Sequence, residues 1–178
     1  MKWVAFFRNV NLGQPKSPTR AQLEAAFREA GAEAAASFMS NGTLLFSVAR
    51  GARALAVTRR AGVILSRVCG LHEPGFVCDF RRLAAWVAED PFADLPAAAS
   101  ERCFSIFAPG AAAGLELPLV AARADCVVFR IDTDAAFSYT RIIAGQAGYP
   151  TPVLEKALHQ PVTTRGWTTI RRLVAKHA

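Results

Sequence analysis

The stretch PVTTRGWTTIRRL, residues 161–173, concentrates residue types that can hold an anion. Thr163, Thr164, Arg165, Gly166, Trp167, Thr168 and Thr169 follow one another there. Trp167, Ile170 and Val174 recur at helical spacing with Leu173 beside them, which predicts a helix over 165–176. Thr163 or Thr164 would cap it. Arg165 then falls in the first turn, where a cation opposes the helix dipole, whereas Arg171, Arg172 and Lys176 suit the far end. Two readings follow. Helix N–H groups, threonine hydroxyls and the guanidinium could share a phosphate or carboxylate oxygen. Alternatively, Arg165 pairs with a carboxylate of the chain, Trp167 anchors the core and the threonines act as caps.

A second group lies at the other end of the chain. Arg8, Asn9 and Asn11 follow an apolar strand, Lys16 adds charge, and Ser17-Pro18 reads as the opening of a helix. Loops at strand ends beside helix starts are common ligand sites, although asparagine and Gly13 are also ordinary turn residues. Ser40 and Asn41 stand at a hairpin turn. Neither G-x-x-x-x-G-K-[ST] nor G-x-G-x-x-G occurs. A third group is the row Arg53, Arg60, Arg67, with Arg59 nearby. Seven-residue spacing lines them along one helix edge. There they could track a phosphate backbone or lay their stems over the core rim. The strands TLLFSV and GFVCDF lack the aromatic pattern with which a sheet stacks RNA bases.

Enzymatic constellations are thin. His72, His159 and His177 are far apart, none at metal-ligand spacing, so no metal and no cofactor is expected. Neither G-x-S-x-G nor H-E-x-x-H occurs. Whether the chain is an enzyme is left open. Cys69, Cys78, Cys103 and Cys126 form no C-x-x-C and read as free thiols of a reducing, cytoplasmic compartment.

These residues need a scaffold. The 178 residues suit one domain or two small subdomains. With 52% hydrophobic and 20% charged residues the chain is globular. Its net charge of +7 favours anionic partners. No apolar run approaches the roughly 20 residues of a membrane span, so no membrane partner is expected. The pattern predicts a strand at 2–7, a helix from Ser17-Pro18 to Gly31, and a type I′ hairpin at Asn41-Gly42. A helix over 53–69 follows, its apolar stripe made by Val57, Ala61, Ile64, Leu65 and Val68. A strand at 75–80 carries Phe76, Cys78 and Phe80 on one face, and Asp79 caps a third helix that ends at Asp90-Pro91. This β-α-β-β-α-β order is the ferredoxin-like pattern. Residues 91–100 read as a connection. The second half offers a strand at 103–108, a hairpin around Asp132-Thr133-Asp134, and helices near 151–159 and 165–176. It echoes the first half in architecture, without a residue-level repeat.

Three stretches in the same order carry a resemblance: VAFFRNVNLG, SFMSNGTLLF and TTRGWTTIRRL, with DPF at 90–92. Together they resemble the bacterial domain-of-unknown-function family 1697, whose pattern reads roughly L-L-R-G-I-N-V-G-G, Q-S-G-N-V-x-F and T-T-R-N-W-N-T. Asn9 stands where that pattern has Gly, Gln14 replaces its last Gly, and Ser40-Asn41-Gly42 inverts Ser-Gly-Asn. Gly166 and Thr168 stand where it has Asn. The resemblance implies an α+β fold of two ferredoxin-like (βαββαβ-type) subdomains and no particular activity.

The expected organisation is a first subdomain over 1–80, a connecting helix and linker over 81–101, and a second α+β subdomain over 102–178. Strands apolar on both faces need cover on both, by the other half or by a second protomer, which makes a homodimer the secondary expectation. The expected function is a binding module for an anionic, phosphate-bearing ligand, either a nucleotide or nucleic acid. Arg8, Asn9, Asn11, Lys16, Ser40, Asn41, Thr164 and Arg165 would hold it and Trp167 would stack on a ring. An enzyme using the same pocket, and a structural or partner-binding protein with Trp167 buried, are the alternatives.

Overall fold

The computed structural model describes residues 1–49, 53–96 and 99–178. The chain divides into two compact units, Met1–Leu83 and Ala84–Ala178. Residues 97–98 of the expected connection lie outside the described residues.

Unit 1 runs β1 (Lys2–Phe7), α1 (Arg20–Glu29), β2 (Ala34–Phe38), β3 (Thr43–Ser47), α2 (Ala54–Cys69) and β4 (Gly75–Asp79), and then enters α3 (Phe80–Glu89). Its four strands are antiparallel in the order β2-β3-β1-β4. Val4, Ala5, Phe6 and Phe7 are all buried, so the central strand is covered on both faces. Ala5, Phe7, Leu44 and Phe46 pack with Leu23, Phe27, Val57, Ala61 and Leu65 from α1 and α2. The alternation of a strand and the 3.6 period of the helices place these residues on facing surfaces. The start of α1 differs from expectation. Thr19, not Ser17, is the N-cap, in a capping box with Gln22. The T-x-x-Q spacing satisfies two end N–H groups at once, which Ser17-Pro18 cannot do.

The first hairpin also departs from expectation. Phe38 pairs with Thr43, leaving four residues in the turn. Met39 and Gly42 take positive φ, and Asn41 does not. Burial of Phe38 and Thr43 fixes the strand ends and rules out a tighter turn. Gly42 is required: φ is +71° and a Cβ would lie 2.7 Å from that of Val10. Phe80 begins α3 rather than ending β4, and the Asp79 carboxylate accepts the Arg81 N–H at 2.8 Å, as a helix cap should.

Unit 2 contains β5 (Glu101–Ile106), β6 (Leu119–Val120), β7 (Cys126–Asp132), β8 (Ala135–Thr140), β9 (Ile142–Ile143) and β10 (Gln146–Ala147). It closes with α4 (Pro150–Leu158), β11 (Thr163–Gly166) and α5 (Trp167–His177). The main sheet has the antiparallel order β11-β5-β8-β7-β6. Without β6 this is the circuit of unit 1: α4 stands for α2, and α5 follows its fourth strand as α3 follows β4. Residues 107–125, in the place of α1, form turns and β6 instead of a helix. The hairpin at Thr133-Asp134 is the expected one; it closes with the Asp134 N–H donating to the Asp132 carbonyl at 2.6 Å.

One face of this sheet is aromatic. Phe137, fully buried, has ring neighbours Trp86 (5.4 Å), Phe92 (5.9 Å), Phe104 (5.9 Å) and Trp167 (6.0 Å). The indole N–H of Trp86 donates to Asp132 at 2.9 Å, so its one polar atom is satisfied. Phe137→Ala would leave a hole among four rings. We expect it to lower the unfolding free energy by about 3–5 kcal/mol, read from the midpoint shift of a urea denaturation curve.

Candidate functional site

The C-terminal motif is built by a strand that passes straight into a helix. Thr163–Gly166 pair with β5, and α5 begins only at Trp167. This corrects the helix expected from 165: Arg165 lies in β11 and opposes no helix dipole. β-branched Thr163 and Thr164 favour the strand, and pairing to the buried β5 extends it through Gly166. Neither threonine caps α5; Gly166 is the N-cap and gives no side-chain bond.

Alternation sends the three side chains different ways. Thr164 Oγ1 lies 2.7 Å from Ser105 Oγ and 2.8 Å from Thr151 Oγ1, a hydroxyl chain joining β5, β11 and α4. Arg165 is 8% exposed and donates from Nη1 to Thr163 Oγ1 (2.9 Å) and to the Thr164 carbonyl (2.8 Å). Burial pushes its pKa down to about 10, against the opposing pull of Tyr149, and it stays charged at neutral pH. Trp167 is 3% exposed, with its ring 5.0 Å from Phe92. It is a core ring, so the expectation that it stacks on a ligand is corrected.

The opening at this junction belongs to other residues. Ser100 precedes β5, Glu101 and Arg102 open it, and Gly166, Trp167, Thr168 and Arg171 stand at the start of α5; together they line a polar cleft of about 600 Å³. Arg102, Thr168 and Arg171 are exposed. A smaller, mainly apolar cavity of about 380 Å³ adjoins it, sharing Thr168 and Arg171 and adding Val87, Arg172, Val174 and Ala175. The sequence offered a signal in Arg171, one helical turn after Trp167, which dipole matching alone had explained.

In unit 1 the structure gathers the first loop, the hairpin turn and the α2–β4 loop. The Leu12 N–H donates to the Ser40 carbonyl (2.7 Å), that of Phe7 to Gly42 (2.9 Å) and that of Arg8 to Pro74 (3.1 Å). Arg8 Nη1 donates to Glu73 Oε2 (2.8 Å) and Asn9 Nδ2 to Glu73 Oε1 (3.0 Å). The Asn11 N–H donates to Ser17 Oγ at 3.2 Å. Asn9, Lys16 and Met39 hold left-handed φ, an uncommon state for residues other than glycine. Lys16 and Ser40 are exposed and Asn41 is half-buried. Two of the three motif stretches thus meet here, while Thr164, Arg165 and Trp167 stand in unit 2.

A family profile described as a protein of unknown function, DUF1697, matches residues 1–134. The chain belongs to this DUF1697 family. No curated protein matches it. A conserved bacterial protein from Streptococcus pneumoniae has a similar structure: TM-score 0.59 and 15% identity over 98% of this chain and 97% of that one. At that identity the likeness speaks for the mixed α/β fold with antiparallel sheets.

Among the described residues no group of His, Cys, Asp or Glu could hold a metal ion. All four cysteines are free, and Cys78, Cys103 and Cys126 are buried. Burial raises Cys103 to about 12 and Cys126 to about 11, so both are protonated and unreactive at neutral pH. We expect iodoacetamide at pH 8 to modify half-buried Cys69 first and the other three only after denaturation, read by intact mass. For Glu73, burial works to raise the pKa, but the Arg8 and Asn9 hydrogen bonds and the Arg8 charge outweigh it and hold the carboxyl below its usual value. Its contribution to stability is therefore complete above the ordinary glutamate pKa and fades as pH falls through the lowered one. Glu73→Gln should flatten that acid limb, seen by comparing melting temperatures of the two proteins between pH 3 and pH 7.

Proposed function

We propose that the protein is a binding module for a small anionic, phosphate-bearing ligand, and that the cleft at the start of α5 receives the anionic group. The observation that carries this reading is the meeting of an uncapped helix start with Arg102 and Arg171 around one polar cleft. The first N–H groups of a helix have no partner within it, and Gly166 supplies none from a side chain. Donors of that kind, a threonine hydroxyl and two guanidinium groups are what phosphoryl oxygens bind. The adjoining apolar cavity suits the body of a nucleotide-like ligand. Glu101 on the rim limits how much negative charge the site accepts.

Arg165 serves this site through the backbone. Its bonds to Thr163 and Thr164 stiffen the strand that delivers Gly166. In unit 1, Arg8 and Asn9 hold Glu73, and we read that loop cluster as scaffold. Buried Trp167 favours the partner-binding alternative, because that reading expected a core tryptophan; the cleft beside it tips the balance toward a small ligand. In fold terms we read both units as ferredoxin-like, on the matching strand orders β2-β3-β1-β4 and β7-β8-β5-β11. Buried free thiols fit a reducing, cytoplasmic setting.

Thermal-shift and calorimetric titrations with phosphate, pyrophosphate and ATP test the proposal. We expect stabilisation of the wild type, and at least about a tenfold weaker affinity in Arg102→Gln and Arg171→Gln, the loss of one charge-assisted hydrogen bond each. No stabilisation by any of the three anions, or variants that bind like the wild type, would refute it.

A further inference from the structure

The net charge of +7 sits in one unit. Residues 1–83 hold twelve Lys or Arg against five Asp or Glu, and residues 84–178 hold nine against nine. Within unit 1, α2 is the most one-sided element. It contains Arg59, Arg60 and Arg67 and no acidic residue, and Arg53 is its N-cap.

The expected row Arg53, Arg60, Arg67 does not survive as a unit. Arg60 is exposed, but its guanidinium is tied to the end of α1: its Nε donates to the Ala30 carbonyl at 3.0 Å. Val68, assigned to the core stripe from the sequence, is 50% exposed. The outward row is instead Leu55, Arg59, Val63, Arg67, in steps of four that form one line on a helix surface. Leu55 is 41% exposed and Val63 53%. Aliphatic and cationic side chains alternate along it at intervals of about 6 Å.

We propose that this face of α2 docks on an anionic lipid surface. Arg59 and Arg67 would meet headgroup phosphates while Leu55, Val63 and Val68 enter the apolar boundary below them. Charge spread over a whole unit attracts an extended anionic surface better than a single small group. A second copy of the chain would bring like charge against like. A nucleic-acid backbone would attract the arginines and gain nothing from the aliphatic residues between them. A lipid interface rewards both, and long arginine stems can keep their charge at headgroup level. This is attachment at a surface: among the described residues no helix is long and apolar enough to cross a membrane. A chain without an apolar run of spanning length can still attach at a lipid surface.

Co-sedimentation of the whole protein with vesicles tests the proposal, using phosphatidylcholine alone and phosphatidylcholine with phosphatidylglycerol. Binding should require the anionic lipid and weaken as salt rises. The double variants Arg59→Gln/Arg67→Gln and Leu55→Gln/Val63→Gln should each bind about tenfold more weakly. Circular-dichroism melts should match the wild type, because these side chains face outward. Sedimentation equal on both vesicle types would overturn the proposal, as would an aliphatic variant that binds like the wild type. Tight binding of duplex DNA that is unchanged in the aliphatic variant would assign the face to nucleic acid and equally overturn it. The cleft at α5 lies in the other unit, so either reading can fail while the other stands.

Discussion

Burial of the Trp167 ring is the contact on which the C-terminal site depends. The ring sits against Phe92 and Phe137 on the aromatic face of the second sheet. Burying a side chain of this size contributes roughly 3 kcal/mol or more. That anchor fixes where α5 starts and how it is rotated. Ile170, Leu173 and Val174 then follow into the core, and Thr168 and Arg171 are left outward. The polar cleft is thus a by-product of an apolar contact. Its donors need no motif of their own, because the helix carries them once Trp167 is seated.

The arginines divide by what their guanidinium groups meet. Arg20 and Arg28 donate to backbone carbonyls of residues 35–39, and Arg60 to that of Ala30. Arg130 bridges Glu89 and Asp132 and lies over the Phe137 ring. These close orphaned carbonyls or tie a helix to a hairpin, work that a planar five-donor group does well. Arg59, Arg67, Arg102 and Arg171 are exposed on an outward helix face or at the rim of the cleft. Net charge alone could not separate the two groups. The carbonyl or carboxylate that each guanidinium meets does, and it picks out Arg171 within the C-terminal motif and Arg59, Arg67 and Arg102 outside the motifs.

Much of unit 1 was legible because its signals are local and agree with one another. The α2 stripe through Val57, Ala61 and Leu65, the strand at the N-terminus and the Asp79 cap all lie where their periodicity and chemistry put them. The errors fell at boundaries, where tertiary pairing decides. Thr163–Gly166 reads as a helix start until β5 is known to lie beside it. Asn41-Gly42 reads as a two-residue turn until the burial of Phe38 and Thr43 lengthens it. β6, β9 and β10, two residues each, are too short to carry a period at all. The cleft was missed for a related reason. Arg102 and Arg171 are 69 positions apart, and only the antiparallel pairing of β11 with β5 brings their neighbourhoods together.

The repeated circuit permits a comparison inside one chain. In both units the fourth strand runs directly into a helix, and the last strand residue sits at the helix start. In unit 1 that residue is Asp79. Its carboxylate accepts the Arg81 N–H and forms an ion pair with the Arg81 side chain, and these bonds hold its pKa low although burial opposes them. The junction therefore supplies its own anion. In unit 2 the residue at the same place is Gly166, which has no side chain to offer. The helix start, Arg102 and Arg171 then surround an open cleft where unit 1 has a built-in carboxylate. Two junctions of the same topology differ in whether the negative group is part of the chain. That difference is the physical argument for expecting it, in unit 2, to come from a ligand.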